Sequence, residues 1–335
     1  KPGRWRPNRC LVMAVKVLLT SCLLMLFSLG VAAADGLRVA VISDLNGSYG
    51  SVEYNPRISV AIDRIIALEP DLVISTGDMV AGQRRPNLSN SDVRAMWKAF
   101  HRVVSEPLAR AGIPLAVTPG NHDASGYSGF EDERRIYADE WRQRRPNVRF
   151  AEGGEYPFHY AFNMAGVQFI SLDATIIGRL DQTQRNWLGD LSKQGVKARI
   201  VFSHLPLWPF AQGRETQIIG DGKVARLFRD EDIDLHLSGH HHAYYPASND
   251  GIAYVSQACL GAGPRALIGE NARSTPGFTL IDISQSGKIQ ISAFEGRSLN
   301  RPVDLTKLPQ SIVSPEATLK RLDLAPTDQV TAKVR

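Results

Sequence analysis

The segment LRVAVISDLN, residues 37–46, is an apolar run that ends on polar residues. Its aliphatic and β-branched side chains predict a buried strand that is followed by a turn at Asp44. Four further apolar runs lead into polar motifs in the same way; these motifs are Gly77-Asp78, Gly120-Asn121-His122-Asp123, Ser203-His204 and Gly239-His240-His241-His242. Because ligand sites of open α/β sheets lie beyond the carboxyl ends of strands, we expect the five motifs to converge on one site.

Helical patterns fill the intervals between these predicted strands. Asn55 and Pro56 predict the start of a helix that ends before Pro70, and apolar residues at helical spacing predict a second helix over residues 93–104. A polar helical stretch follows at residues 131–145. Strands that alternate with helices predict an α/β fold.

The last part of the chain has a different pattern. Strands separated by turns, without helices, indicate that antiparallel strands complete a second sheet; they are predicted at residues 252–255, 277–283 and 288–294. We expect residues 35–300 to form one domain. Residues 301–335 contain prolines, charges and one predicted short helix from Ser314, so we expect a tail that packs loosely or is partly disordered.

The N-terminus has the features of an export signal. Residues 17–30 read VLLTSCLLMLFSLG, with basic residues before them and an A-x-A-like cleavage site at residues 31–34. This pattern predicts a secretory signal peptide over residues 1–34, with Met13 as a possible true start, and a secreted or periplasmic protein. An uncleaved membrane anchor and a lipoprotein signal ending at Cys22 are the alternatives; the cleaved signal predicts no stable membrane anchor.

Signal cleavage leaves Cys259 as the last cysteine, and its apolar neighbours predict a buried structural thiol. The net charge of +5 also comes from the signal, since residues 1–34 hold five basic and no acidic residues, and the remainder holds 34 of each sign. A formally neutral body has no basic footprint for DNA or RNA, so no nucleic-acid partner is expected. The sequence does not indicate an oligomeric state.

Each polar motif alone is common in turns, but together they supply what two divalent ions require. The two oxygens of Asp78 can bridge metals about 3.5 to 4 Å apart. If the segments are extended, residues two apart face the same side, which places His240 with His242 and Asp44 with Asn46. Amide oxygens and neutral imidazoles complete such a ligand set.

At this point the sequence resembles the calcineurin-like metallophosphoesterases, whose motifs are D-x-H, G-D, G-N-H-[DE], H and G-H-x-H. The five motifs of this chain follow the same order, and the first reads D-x-N. The phrases at residues 169–173 and 187–188 resemble the branch with cyclic-nucleotide phosphodiesterases and purple acid phosphatases. The resemblance implies a two-layer mixed β-sandwich flanked by helices. It implies one metal held by Asp44, Asp78 and His242, and a second held by Asp78, Asn121, His204 and His240.

One position departs from the family pattern, because Asn46 stands where the first motif usually has histidine. An amide oxygen is a harder and weaker ligand than imidazole, so we expect a weaker first site or one that favours Mn²⁺, Mg²⁺ or Ca²⁺ over Zn²⁺. Whether Asn46 binds the metal or orients a water is open, and so is the identity of the two ions among Mn, Fe, Zn, Mg and Ca.

The predicted reaction is attack on a small-molecule phosphomonoester or phosphodiester by a hydroxide that the two metals bridge. The resemblance implies that His122 is an acid or a substrate contact, and we predict that it either protonates the leaving oxygen or stabilises its charge. Arg214, Arg84 and Arg85 are weaker candidates for contacting the phosphate. Two rival hypotheses are a metallophosphoesterase-fold binding protein whose turnover is impaired by Asn46, and a membrane-anchored interaction protein.

Overall fold

The computed structural model describes Gly3 and residues 36–178, 180–261 and 263–333. The predicted signal peptide therefore lies outside the described residues, apart from Gly3. Among the described residues, no helix combines the length and apolar character needed to cross a membrane.

Two mixed sheets form the centre of the fold. The described strands of the first sheet are β1 (Gly36–Ile42), β2 (Leu72–Ser75), β3 (Leu115–Val117), β11 (Gly277–Ser284), β12 (Ile289–Glu295), β13 (Arg301–Pro302) and β16 (Val330–Ala332). Their order is β13-β12-β11-β1-β2-β3, with β16 beside β12. Strands β1, β2 and β3 are parallel, whereas β11 is antiparallel to β1.

The second sheet has the order β14-β15-β9-β10-β8-β7-β6-β5-β4. Its strands are β4 (Arg149–Phe150), β5 (Tyr160–Met164), β6 (Val167–Ser171), β7 (Ala198–Ser203), β8 (Leu235–Ser238), β9 (Tyr245–Asn249), β10 (Ile252–Ser256), β14 (Ser311–Val313) and β15 (Thr318–Arg321). Strands β6, β7, β8 and β10 are parallel, and the two flanking strands β5 and β9 are antiparallel to their neighbours.

Helices pack on the outer faces of both sheets. The described α-helices are α1 (Pro56–Ile66), α2 (Asn90–Phe100), α3 (Glu106–Arg110), α4 (Asn121–Ala124), α5 (Glu131–Arg142), α6 (Gln182–Asp190) and α7 (Gly222–Asp230). A π-helical turn (His101–Ser105) joins α2 to α3, and a 3₁₀ turn covers Leu305–Lys307. The predicted cap of α1 is present, since the Asn55 side chain accepts a hydrogen bond from the backbone of Arg57. Helix α7 was not predicted.

The alternation of side chains in β1 explains the layers. Ala40 and Ile42 pack towards α1, α2 and α5, whereas Val39 and Val41 pack against the second sheet. A third cluster joins the outer face of the second sheet to α6 and α7. The prediction of a two-layer mixed β-sandwich flanked by helices is therefore confirmed.

The C-terminal residues differ from the expected loose tail. Residues 301–333 add strands to both sheets, and Ile312 of β14 and Leu319 of β15 are buried in the cluster on the outer face of the second sheet. The predicted helix at Ser314 is a turn between β14 and β15, because the Ser314 hydroxyl accepts hydrogen bonds from the backbones of Glu316 and Ala317. Packing of these few apolar side chains orders the segment.

Candidate metal centre

The register of the parallel strands brings the five motifs to one edge of the sandwich. Ile42 pairs with Ser75, and Ser75 pairs with Val117, so β1, β2 and β3 end at the same level. In the second sheet, Ser203 at the end of β7 pairs with Ser238 at the end of β8. The residues that follow these ends are therefore neighbours.

Asp44 is fully buried at the end of β1 and has four polar contacts. One carboxylate oxygen, Oδ1, lies 3.0 Å from Nε2 of His242. The other, Oδ2, accepts a 2.5 Å hydrogen bond from Ser43, whose hydroxyl in turn accepts one from Thr76. The backbone N–H of His240 lies 3.2 Å from both oxygens. These contacts fix the direction of the carboxylate.

Asp78 lies between the polar side chains of the other motifs. Its Oδ2 is 3.3 Å from Nε2 of His204 and 3.9 Å from Nε2 of His122. Its Oδ1 accepts a 2.9 Å hydrogen bond from the backbone N–H of His122, at the start of α4. Asp78 therefore faces ligands from both sheets.

The imidazoles of the second sheet turn one nitrogen each towards Asp78. Nδ1 of His204 donates to the carbonyl of Thr76 at 2.9 Å, which leaves Nε2 for the site. This Nε2 lies 3.1 Å from Nδ1 of His240 and 2.9 Å from Oδ1 of Asn121. Three potential ligand atoms, two from imidazoles and one from an amide, thus meet beside the Asp78 carboxylate.

Among the described residues, two groups of side chains could each hold a metal ion. Within each group the ligand atoms all lie within 4.8 Å of one another, and Asp78 belongs to both groups. The first is Asp44, Asp78 and His242, and the second is Asp78, His204 and His240. All five side chains are buried. Carboxylates and imidazoles are the donors that divalent transition metals bind, so the residues fit the two ions predicted from the sequence.

The backbone at the potential ligands is left-handed. The expectation that the first and last motifs are extended, so that residues two apart face the same side, is therefore wrong. The φ angles are 51° at Asp44, 54° at Asp78, 62° at His240 and 52° at His242. Non-glycine residues rarely adopt this conformation, which costs about 1–3 kcal/mol each and clusters at functional sites. The two histidines face the site because each follows such a turn.

Two glycines permit the close approach of these turns. A Cβ atom at Gly77 would lie 2.7 Å from Cα of Gly120 and 2.8 Å from Nδ1 of His204. A Cβ atom at Gly120 would lie 2.1 Å from the backbone nitrogen of Asp78. Any side chain at either position would push apart the motifs that carry Asp78 and Asn121.

The charges of the site compensate each other. Burial opposes ionisation of Asp78, but the charges of His204 and His122 and the hydrogen bonds from these residues together outweigh it and hold the pKa of Asp78 well below its usual range. Burial also opposes protonation of His242 and His204, yet Asp44 raises the pKa of His242 to about 10 and Asp78 raises that of His204 to about 9. Metal binding at these residues therefore releases protons.

Asn46 lies where the departure from the family pattern suggested. It is 8% exposed and lines a cavity of about 230 Å³ together with Asp78, Asn121, His240 and His242. Its backbone N–H donates to the carbonyl of Asp78 at 3.1 Å. Asn46 therefore lines the same cavity as ligands of both groups.

Three residues that the sequence analysis did not assign hold the ligands in place. Asp123 is buried and accepts hydrogen bonds from the backbones of Met79 and Val80, which fixes the turn after Asp78. Gln83 accepts a 2.6 Å hydrogen bond from the amide nitrogen of Asn121, so that the amide oxygen faces His204. Gln83 and Gln217 lie in loops without periodic patterns; only the position of Asp123 within its motif was a signal.

Gln217 has the same role for the last motif. Its side-chain oxygen lies 2.9 Å from Nε2 of His240, and Arg214 donates to the same oxygen. Its backbone carbonyl lies 3.1 Å from Nε2 of His241. His241 is buried and accepts from the backbones of residues 210 and 211, so it anchors this loop rather than contacting solvent.

The predicted phosphate-binding arginines separate into two groups. Arg214 lines the cavity, together with Arg265, which was not predicted and donates to the carbonyl of His240 at 2.8 Å. Arg84 and Arg85 do not line it, which corrects the prediction. The guanidinium of Arg85 stacks at 4.3 Å on the ring of Phe130 and donates to the Ser128 carbonyl instead.

Replacing Gln217 with leucine is expected to weaken metal binding about 10- to 100-fold, the usual effect of losing a hydrogen bond that orients a histidine ligand. Isothermal titration calorimetry with Zn²⁺ and Mn²⁺ measures this change. Gln217→Glu keeps the acceptor and should retain affinity, and Gln212→Leu, at an exposed position of the same loop, is the matched control. Equal weakening by the leucine variants would contradict the role of Gln217.

A sequence model of the family described as calcineurin-like phosphoesterase matches residues 37–244 of this chain. The chain belongs to this family. The matched region contains all five motifs, including the position of Asn46. Family membership and the two groups of potential ligands together support the architecture of a dimetal phosphoesterase.

Mouse transmembrane protein 62 is similar to part of this chain. The two are 23% identical over 154 residues, which cover 42% of this chain and 23% of the mouse protein. The chain thus matches less than a quarter of that relative's length, and the match leaves the mouse protein's remaining segments without a counterpart in the alignment.

Solved structures share the fold. A purple acid phosphatase from yellow lupin seeds has a TM-score of 0.60 and 18% identity, covering 79% of this chain and 52% of the lupin chain. A dimetal phosphatase from Danio rerio has a TM-score of 0.54 and 12% identity, and the match covers 80% of this chain and 98% of the Danio rerio chain. GAP50 of Plasmodium, described as the anchor in the inner membrane complex, has a TM-score of 0.50 and 14% identity. The match covers 88% of this chain and 90% of the Plasmodium chain.

Proposed function

We propose that the protein is a two-metal hydrolase of small-molecule phosphoesters that is exported through its N-terminal signal. The observation that carries the proposal is the position of Asp78, because its carboxylate belongs to both groups of potential ligands. A carboxylate shared between two ion sites is the arrangement that two-metal phosphoester hydrolysis requires. The apolar segment and small residues before Asp35 support export.

Two divalent ions in this site supply Lewis acidity towards the phosphoryl oxygens and lower the pKa of a water nucleophile. Asp78 would hold both ions, and Asn121 would add a neutral oxygen ligand that leaves the net charge of the site unchanged. Arg214 and Arg265, on the cavity wall, offer guanidinium groups to the non-bridging oxygens of the phosphate.

His122 is placed to protonate the leaving oxygen. Its Nδ1 lies 2.9 Å from the carbonyl of Gly82, which holds the ring and directs Nε2 towards Asp78 and the cavity. A histidine in this position can hold a proton at Nε2 and transfer it as the bond to phosphorus breaks.

The test is hydrolysis of a generic aryl phosphomonoester and a phosphodiester by the chelator-treated protein after addition of Mn²⁺, Fe²⁺, Zn²⁺, Mg²⁺ or Ca²⁺. We expect two bound metals per chain, and activity that chelation removes and at least one metal restores. Binding of fewer than two metals, with neither substrate hydrolysed, would contradict the proposal. Export is tested separately, since N-terminal sequencing of the exported protein should begin near Asp35.

A second candidate is a metal-binding protein of this fold whose turnover is impaired, which Asn46 favours because it removes an imidazole from the first ligand group. The same experiment distinguishes it. Two tightly bound metals without hydrolysis of either substrate would support this candidate.

A further inference from the structure

The mouth of the metal cavity carries exposed apolar side chains. Tyr49, Tyr127 and Ile177 are 55%, 41% and 42% exposed, and all three line the cavity. They are three of the seven large hydrophobic residues that are exposed among the described residues, so this kind of surface is concentrated at the cavity. Exposed apolar groups gathered at a cleft mark a binding surface.

The apolar residues lie on the side of the cavity that holds His122. The ring of Tyr49 is 5.3 Å from the imidazole of His122, centre to centre. The hydroxyl of Tyr127 accepts a 3.2 Å hydrogen bond from the backbone of Ile177, and the backbone of Tyr127 donates to Ser125. These bonds hold the apolar rim, defined as Tyr49, Tyr127 and Ile177, next to the segment that carries His122.

The remaining wall of the cavity is polar and cationic. Arg214, Gln217 and Arg265 line it, and Arg265 is fixed by its bond to the carbonyl of His240. A phosphoryl group is attracted to this wall and to the metal ligands, whereas an apolar group gains more free energy at the rim. The cavity therefore distinguishes the two ends of a phosphoester.

The position of His122 decides which end of the substrate meets the rim. A proton donor must be within reach of the leaving oxygen, so the leaving group lies beside His122. The next side chain outward is Tyr49. The cavity of about 230 Å³ is smaller than the usual 300–1,000 Å³ of ligand pockets, so the organic part of the leaving group extends to the rim.

We propose that the apolar rim binds the leaving group, and that the preferred substrates are phosphoesters whose leaving alcohol carries a planar aromatic group. The proposal rests on the proposed function, because it takes the phosphoryl group to be bound at the metal ligands. Tyr49 and Tyr127 bind through their ring faces, and Ile177 adds an aliphatic contact. Substrates without an apolar leaving group gain nothing from the rim.

The first test measures binding without hydrolysis. Affinities of phenylphosphonate and methylphosphonate for the metal-loaded protein are measured by calorimetry. We expect the phenyl compound to bind more tightly, and Tyr49→Ala or Tyr127→Ala to reduce this preference about two- to tenfold, which corresponds to the energy of one aromatic pair. Tyr49→Phe keeps the ring and should keep the preference. Leu324→Ala, at an equally exposed apolar position outside the cavity, is the control.

The second test measures kcat/KM for phenyl phosphate and glycerol phosphate. Phenolate is the better leaving group in any enzyme, so a single ratio of kcat/KM for phenyl phosphate to kcat/KM for glycerol phosphate is not informative. The informative quantity is the change in this ratio from the wild type to Tyr49→Ala. We expect this ratio to fall by the same two- to tenfold. A ratio and a phosphonate preference that both stay unchanged would overturn the proposal while leaving the hydrolase intact. Hydrolysis of neither ester would instead contradict the proposed function, and the phosphonate preference would still test the rim.

Discussion

Asp78→Asn is expected to lower hydrolysis about a thousandfold and to reduce the number of metals bound per chain. An amide has a single oxygen and cannot bridge two ions, and the second atom becomes an NH₂ group that faces the imidazole of His204. The metals supply several kcal/mol of transition-state stabilisation, and each 1.36 kcal/mol is a factor of ten in rate. Loss of the shared ligand, and with it of bound metal, is therefore expected to remove about three orders of magnitude in rate.

The measurement combines metal analysis after dialysis with kcat/KM on an aryl phosphate. Asp63→Asn is the matched control, because it makes the same substitution at an exposed position of α1. Thermal unfolding of both variants with chelator shows whether Asp78→Asn still folds, as expected for a substitution of equal size. If the folded variant kept two metals and more than a tenth of the activity, Asp78 would not be the shared ligand.

Local sequence patterns carried most of the information about the position of this site. The run before Asp44 was predicted as a strand and is β1, and the runs before Asp78, Asn121, His204 and His240 are also strands of the two sheets. Each signal depends on neighbouring residues only, so a single sequence reveals it. Parallel strands then bring the motifs together without further information about side chains.

The contacts that orient the ligands were not accessible from the sequence. Gln83 contacts Asn121, which is 38 residues later in the sequence, and Gln217 contacts His240, which is 23 residues later. No periodic pattern in the sequence indicates either pair. Arg85 shows the reverse case. It was predicted near the phosphate because it follows a motif, but the ring of Phe130 offers its guanidinium a stacking partner elsewhere.

The C-terminal strands show a different limit. Strands β14 and β15 have three and four residues, and their buried positions alternate with exposed ones, so each strand buries one apolar side chain, Ile312 or Leu319. Such short runs cannot be told from a loop by their sequence, because they form strands only by pairing with the edge of a sheet. Pairing of Lys320 and Arg321 with β9 supplies that edge, which explains why composition alone indicated a loose tail.

Asn46→His is expected to tighten metal binding at the first ligand group about tenfold or more and to shift its preference towards Zn²⁺. Asp44, Asp78 and His242 supply two carboxylates and one imidazole, and Asn46 lies beside them at the cavity wall. Imidazole is a softer and stronger ligand than an amide, so the substitution adds the donor that Zn²⁺ favours.

Competition between a chromogenic chelator and the protein measures both affinities for Zn²⁺ and Mn²⁺, and Asn46→Ala provides the comparison without any donor. We expect affinity to increase from the alanine to the asparagine to the histidine variant at the weaker site, with the stronger site changed much less, because Asn46 belongs to the same motif as Asp44 of the first group. No gain from histidine would show that the turn at Asp44 directs residue 46 away from the metal. At saturating metal, a faster histidine variant would identify Asn46 as the limit on turnover, whereas a slower one would show that the weak first ligand is part of the catalytic balance of the site.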